Sequence, residues 1–536
     1  MERNTLLAVV LIAVVFILTP YYFNWLDPVE NRIDAEGVES ISQPEKVVKE
    51  IEENLDDYRT PIQNTGVESF SVTTPLYTAE ISSKNGGSIQ SFRLRNYKFQ
   101  DSLFVNLITQ FNKDNLLINF RTIDGDAVSL DNNWSGVSSN GQMDLLSRSG
   151  ALQFVTSVEN KTITKTLTFN PESYIINIDI SFARATELLS QGEYGLSWDG
   201  GLPTTEKNQK DDRSYFEGNA LLGTDVHSTK LSANKLTEDK LRGTTRWVSI
   251  RSKYFTSSII PNQPSIGAIV KGTIEEDHPL YSISLINNAS LNTSFKLYLG
   301  PLQKDLIENL GVGLEKTMNF GVWIFRYIAK AVLWSLKKMH SLIPNYGVVL
   351  IIFAFLIKML IYPLTKKSYQ SSREMQAIQP LIAKIKEKYK HDPKRLNQEQ
   401  MKLFKEHGVN PLGGCLPLLL QMPLLMSLFI VFRSTIELRG QPFVLWITDL
   451  SSPDTIAIVG GFPLNILPIF MAITMFIQQK MMQPTSGDSQ NKLMMYGMNV
   501  FFLFIFYSFP SGLNLYYALF NLFTILQQKF LTPAKK

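Results

Sequence analysis

The sequence predicts a polytopic α-helical membrane protein with six transmembrane helices, a large β-sandwich domain outside the membrane and a helical hairpin in the cytoplasm. Three observations carry this reading. Beyond Met318 the chain is dominated by long apolar runs, whereas from Phe70 to Leu299 hydrophobicity alternates with a period of two. Basic residues also cluster on the flanks that these crossings put in the cytoplasm: Arg3 before the first run, Lys366 to Arg395, and the carboxyl end. The 536 residues, 44% of them hydrophobic, are therefore two unlike parts, more than one domain. A net charge of +4 is too small to imply nucleic acid. The only cysteine, Cys415, rules out a disulfide framework and lies in an apolar run, where it reads as a small packing residue.

Residues 1–26 read as an uncleaved transmembrane anchor. Thr5 to Phe23 is apolar, and Arg3 precedes it. No small-x-small cleavage site follows; instead come Pro20, Tyr21, Tyr22 and Trp25, an aromatic interface belt. Residues 27–60 are acidic and poor in aromatics, with Glu36, Glu39, Glu45, Glu50, Glu52, Glu53, Asp56 and Asp57, as a flexible linker would be. Positive charge before the anchor and negative charge after it put the amino terminus in the cytoplasm.

Residues 61–301 contain ALQFVTSV, KTITKTLTF, YIINIDISF, SIGAIV and SFKLYLG, separated by Gly, Asn and Pro. Such alternation predicts antiparallel strands and a sandwich. Its two histidines, His227 and His278, read as surface residues, with no metal-ligand spacing around them. No nucleophile elbow or phosphate loop occurs, so no cofactor and no metal are expected. Residues 302–345 return to helical spacing. In MNFGVWIFRYIAKAVLWSLKKM, Asn319, Arg326, Lys330 and Lys337 form a basic stripe, while Phe320, Trp323, Ile324, Tyr327, Ile328, Val332 and Trp334 cover the remainder. That pattern suits a helix in the plane of a bilayer surface; the alternative is a helix packed under the sandwich.

The five-helix core, residues 346–531, opens with YGVVLIIFAFLIKMLIYPLTKK, long enough to span a ~30 Å hydrocarbon layer. Lys358 interrupts it. A lysine there costs roughly 2.5–3.5 kcal/mol on insertion scales, which makes it a site residue unless its stem snorkels to the interface. Residues 365–410 repeat apolar positions at Ile378, Leu381, Ile382, Ile385 and Tyr389, break at His391-Asp392-Pro393, and resume through Leu396, Leu403 and Phe404. This is a helical hairpin, and its excess of Lys and Arg assigns it to the cytoplasm. Four more crossings follow: Leu412 to Phe432, Phe462 to Ile477, Leu493 to Phe509 and Leu513 to Leu526. The last two are joined by the turn FPSG. The loop from Arg433 to Gly461 falls outside, with Trp446 at the interface, and the basic tail 532–536 returns to the cytoplasm.

The last crossing bears on Lys358. Asn514, Tyr517, Asn521, Thr524 and Gln528 follow one another at offsets of three, seven, ten and fourteen, within about a quarter of the helix circumference. A polar stripe should face other helices or a wet cavity rather than lipid tails. Interhelical hydrogen bonding is the plain alternative, at roughly 0.6 kcal/mol per bond. Gln421, beside Pro423, is a further polar group in a crossing. From Leu412 to Leu526 the apolar segments contain no Asp or Glu, so Lys358 lacks the counter-ion that a proton relay or ion-coupled transporter would show. An unpaired cation in a groove is open to an incoming negative group. A lipid or small-molecule transporter remains the alternative, disfavoured by the missing charged pair and inverted repeat. A periplasmic sugar-processing domain would need carboxylates that the sequence does not locate.

IYPLTKKSYQSS, NPLGGCLPLLLQMPLLMSLF, LWITDLSSPD, MFIQQKMMQP and FPSGLNLYYALFNLFTILQQ, within Asn345 to Leu531, resemble the motifs of the YidC membrane protein insertases of Gram-negative bacteria. The anchor and β-domain resemble that branch more weakly. The resemblance implies an inner-membrane protein with residues 27 to about 345 in the periplasm, both termini cytoplasmic, and no enzymatic activity. It also implies a hydrophilic groove open to cytoplasm and lipid. Lys358 matches the position of a positive residue in that groove, usually arginine, so charge is retained and the planar fork lost. Tyr517 matches a groove-lining tyrosine. Apolar substrate segments would slide along the third and fifth crossings, past Met422, Met426, Phe429, Met498 and Phe502. The implied partners are nascent membrane proteins, the lipid bilayer, the Sec translocon, the signal recognition particle and its receptor, and the ribosome.

Overall fold

The computed structural model describes residues 66–531 apart from 100–102, 112–114, 137–140, 232–235, 291–292, 319, 322, 410–415 and 483–488. The Thr5–Phe23 anchor, the acidic linker, Cys415 and the basic tail lie outside the described residues. The remainder forms two compact units, divided between Met318 and Asn319.

The first unit is β-rich. Its period-two strands pair into a five-stranded and a fourteen-stranded sheet among the described residues. Lys161–Phe169 alternates buried Ile163, Lys165, Leu167 and Phe169 with more open threonines, the pattern of a strand with one face covered. The sheets meet where Phe70 of one sets its ring edge-on to Phe154 of the other, 5.6 Å between centroids. Pairing is antiparallel except where Ser69–Thr73 runs parallel to Gln142–Asp144. One sequence expectation is corrected here: His278 is buried, not superficial. Its Nε2 lies 2.8 Å from the Leu202 carbonyl between the rings of Phe111 and Phe216, and burial pushes its pKa down. His227 is half-exposed and lies 3.2 Å from Asp239 Oδ2.

The second unit is helical. Helix α1 is Trp323–His340 and α2 is Tyr346–Ala377. A short pair follows, α3 (Gln379–Lys388) and α4 (Pro393–Glu406). Then come α5 (Leu416–Ser434), α6 (Ile466–Met482), α7 (Ser489–Phe506) and α8 (Ser511–Leu526). By length and composition Tyr346–Pro363 is the one span that passes as a crossing among the described residues; Gln421–Ser434, Ile466–Met481 and Tyr496–Phe506 are shorter apolar helices.

Local chemistry explains the boundaries. Asn345 caps α2 by accepting from the Val348 N–H at 3.0 Å. The sequence places the start of a separate helical hairpin at Thr365, but α2 runs through Pro363 to Ala377 without a break. The Thr365 hydroxyl donates back to the carbonyls of Ile361 and Tyr362, within the helix that continues past the proline. Asp392 caps α4 from the Arg395 N–H, with Pro393 in the first turn. The α3–α4 pair encloses its own small core of Ile378, Ile382, Leu403 and Val409.

In helix α1, Ala329, Val332, Leu333 and Leu336 make one buried stripe, and the helix packs on α5. Trp334 and Tyr327 point outward. Ser427 of α5 donates to the Phe325 carbonyl, and Lys337 pairs with Glu437 at 3.6 Å.

Candidate functional site

Helix α8 packs against α2 and α6, and the polar positions on these helices converge. Lys358 is two to three turns above the basic end of the apolar part of α2, yet it is only 5% exposed. Its ammonium donates to the Thr524 hydroxyl at 2.7 Å and lies 3.4 Å from the Tyr369 hydroxyl. It also sits 4.6 Å from the centroid of the Phe520 ring and 5.6 Å from that of Tyr369. No carboxylate is among its partners in the described residues. The snorkelling alternative needs the amine to leave the bundle for the interface; here it is turned toward α8.

The stripe on α8 divides into distinct environments. Asn514 is fully buried, and its amide donates to the carbonyls of Phe506 and Phe509 at 3.1 and 3.4 Å, bracing the turn between α7 and α8. Tyr517 sets its ring edge-on to Phe506 at 5.4 Å, and its buried hydroxyl finds no partner among the described residues. Asn521 donates to the Thr474 hydroxyl of α6 at 3.4 Å. Thr524 holds Lys358. The carbonyl of Gln528 accepts from Arg373 at 2.6 Å.

Three groups on α2 belong to this cluster and were not singled out in the sequence: Thr365, Tyr369 and Arg373. Gln527 donates to the Thr365 hydroxyl at 3.3 Å, and Tyr369 hydrogen-bonds the side chains of Thr524 and Gln528. Their signal was available. They follow Lys358 at offsets of seven, eleven and fifteen, which returns them to its face of the helix. It was hidden because the stretch after Leu364 read as the start of a separate helical hairpin.

The apolar residues divide similarly. Phe429 and Phe509 are 4.9 Å apart, Phe509 and Phe506 5.0 Å, and Phe506 and Phe502 6.1 Å. This chain of rings joins α5 to α7, and through Phe506 it reaches Tyr517. Met422, Met426 and Met498 are half-buried. Gln421 is half-buried on α5, with no described contact to Lys358. The side chain of Trp446 does not stand free: its indole donates to Asp454 at 3.1 Å.

A buried lysine facing uncharged polar groups in an apolar helical bundle, joined to a β-rich domain, defines a membrane protein with a polar internal surface. Two family models cover nearly all of the described chain: the YidC periplasmic domain matches residues 69–335, and the 60Kd inner membrane protein matches residues 338–536. The membrane protein insertase YidC of Chlorobaculum parvum is 35% identical over 99% of this chain and 94% of its own length. That of Chlorobium phaeovibrioides is 34% identical over 99% and 95%. A crystal structure of an active YidC insertase with its first transmembrane domain resolved aligns over 88% of this chain and 93% of that one, at 19% identity and a TM-score of 0.38. The chain belongs to the YidC family of membrane protein insertases. It is an inner-membrane protein with a periplasmic β-rich domain, and it is an insertase rather than an enzyme.

Proposed function

We propose that Lys358, Asn521, Thr524 and Gln528, with Tyr517 and Asn514 toward the far end and Gln421 at the side, line a hydrophilic groove open to the cytoplasm and to lipid. The observation that carries this reading is the Lys358 ammonium, buried in the bundle with hydroxyls and aromatic faces as its described partners. A buried cation without a counter-ion is costly until an anion joins it. A substrate's short acidic tail supplies that anion. Its apolar segment meanwhile moves along α5 and α7, past Met422, Met426, Phe429, Met498 and Phe502, into lipid. Hydrating part of the membrane's thickness shortens the low-dielectric path the tail must cross. Burial of the apolar segment drives the transfer, and the membrane potential assists negative tails.

In this reading the chain crosses the membrane six times, with both termini cytoplasmic, residues 27 to about 345 periplasmic, and the hairpin region 365–410, which holds the end of α2 with α3 and α4, in the cytoplasm. The segments are an anchor (1–26), linker (27–60), β-domain (61–301), amphipathic region (302–345), core (346–531) and tail (532–536). Nascent membrane proteins and lipid are its partners. The Sec translocon, the signal recognition particle with its receptor, and the ribosome are proposed to deliver or receive substrates.

Photo-crosslinkers at Tyr517 and Met426 test the assignment on stalled nascent membrane proteins. Position 517 should capture the hydrophilic tail and position 426 the apolar segment. Capture of both segments equally at both positions would remove the division between groove and slide.

A further inference from the structure

The loop after α5 leads into a β-hairpin, Thr455–Val459 paired antiparallel with Phe462–Asn465. Gly460 and Gly461 turn it at φ of 58° and 83°, conformations that favour glycine. The hairpin carries no charge, and none occurs between Asp454 and Lys480. Ile456, Ile458, Val459, Phe462 and Leu464 are all exposed, Ile458 by 72% and Phe462 by 76%. An antiparallel pair standing in water normally keeps one face polar, and its free edges are guarded by charges or covered. This hairpin has neither a polar face nor a charged edge.

It is nevertheless firmly mounted. Asp454 Oδ2 accepts from the Trp446 indole at 3.1 Å and from the N–H groups of Ile466 and Leu467 at 3.0 and 2.7 Å. The amide of Asn465 donates to the Tyr507 carbonyl at 2.7 Å, and the Tyr507 hydroxyl donates to the Pro463 carbonyl at 2.6 Å. These bonds tie the hairpin base to the start of α6 and the end of α7. The exposed Ile469, Phe470, Ile473 and Ile477 of α6 continue its apolar surface. At ~1.5 Å per residue α6 rises roughly 25 Å, short of a ~30 Å hydrocarbon layer.

We propose that this hairpin is a lipid-binding element lying at the headgroup–acyl boundary of the periplasmic leaflet, where it extends the apolar belt of α6. The assignment rests on α6 crossing the membrane with its amino-terminal end at the periplasmic face. Depth follows from the backbone. A two-stranded hairpin has unpaired N–H and C=O groups along its outer edges, which hydrocarbon cannot satisfy but headgroups and water can. Continuity with the exposed face of α6 favours lipid over a protein partner as the occupant.

The test uses the full chain in a Cys415→Ser background, with Ile458→Cys or Phe462→Cys carrying an environment-sensitive fluorophore. The protein is reconstituted in vesicles of phosphatidylethanolamine and phosphatidylglycerol. Lipids with a doxyl quencher near the headgroup should extinguish most of the signal from 458 and 462. Chain-end doxyl lipids and aqueous iodide should each remove much less. Strong quenching by iodide alone overturns the proposal, because the hairpin then stands in water. Protection from every quencher overturns it too, since protein then covers the hairpin. Stronger quenching by chain-end than by headgroup doxyl overturns the depth. Ile473→Cys on α6 is the reference: if lipid quenchers fail there, the crossing itself is wrong, whereas success at 473 with failure at 458 and 462 rejects the hairpin alone.

Discussion

Lys358 and Thr524 are 166 positions apart in the chain and 2.7 Å apart in the folded protein. If the positive charge is what the groove offers, Lys358→Arg should support growth of depleted cells, while Lys358→Ala should fail for substrates with acidic tails. Full activity of Lys358→Ala on every substrate removes the electrostatic part of the mechanism. A second lysine obeys different rules. Lys165 is fully buried in the β-rich unit, donating to the Asn85 and Leu116 carbonyls at 2.6 Å each. Burial pushes its pKa down from 10.5 to about 7. Between those values the unfolded chain binds a proton that the folded chain does not, so stability rises with pH across that window. At ~1.4 kcal/mol per pKa unit, the gain from pH 7 to 9 is at most ~3 kcal/mol. Denaturation of the purified protein in detergent should show it, and Lys165→Met should flatten it. An equal rise in the variant assigns the pH dependence elsewhere. Gly512 is needed for a third reason, close approach. A Cβ there would overlap the Phe432 ring, while the Gly512 N–H donates to the Leu450 carbonyl at 3.0 Å. Gly512→Ala should therefore lower the melting temperature, and an unchanged melting curve would show that this end can give way.

At the scale of elements, α8 makes the sharpest claim. Its first half is buried nearly all round, Leu515 included, and only toward Leu522 and Leu526 does one side open. Single cysteines replacing Asn521, Thr524 or Gln528, in a Cys415→Ser background, should react with a membrane-impermeant thiol reagent from the cytoplasmic side. Those replacing Asn514 and Leu515 should stay protected, and Leu526→Cys, on the outward side, should be shielded by lipid. Labelling that ignores this period, or that comes equally from the periplasm, means a sealed bundle or an open channel. Five polar positions share a face, and Asn514, at its closed far end, also braces the turn between α7 and α8.

For the whole molecule, every residue assigned to the groove belongs to the helical unit and none to the β-rich one. Deleting most of Phe70 to Leu299 while keeping Met318 to Leu342 should leave insertion of small substrates intact, because α1 packs on α5 within the helical unit. Loss of insertion by a deletion protein that still accumulates would give the β-rich domain a part in the reaction.

Periodicity alone was enough for much of this protein. A period of two marks strands and a period of 3.6 marks helices because side-chain direction follows backbone geometry. So the β-rich domain, the Lys358 helix, the α3–α4 pair broken at Pro393 and the shared face on α8 were all legible. What periodicity cannot carry is which face meets which neighbour. That His278 turns inward between two aromatic rings, that α1 seats on α5, and that α2 continues through Pro363 to bring Tyr369 and Arg373 beside α8 depend on contacts between distant segments. The same holds for Lys358. Its cost in a membrane is a property of one residue, but its partner Thr524 is chosen by how α2 and α8 pack, and only the tertiary structure decides that.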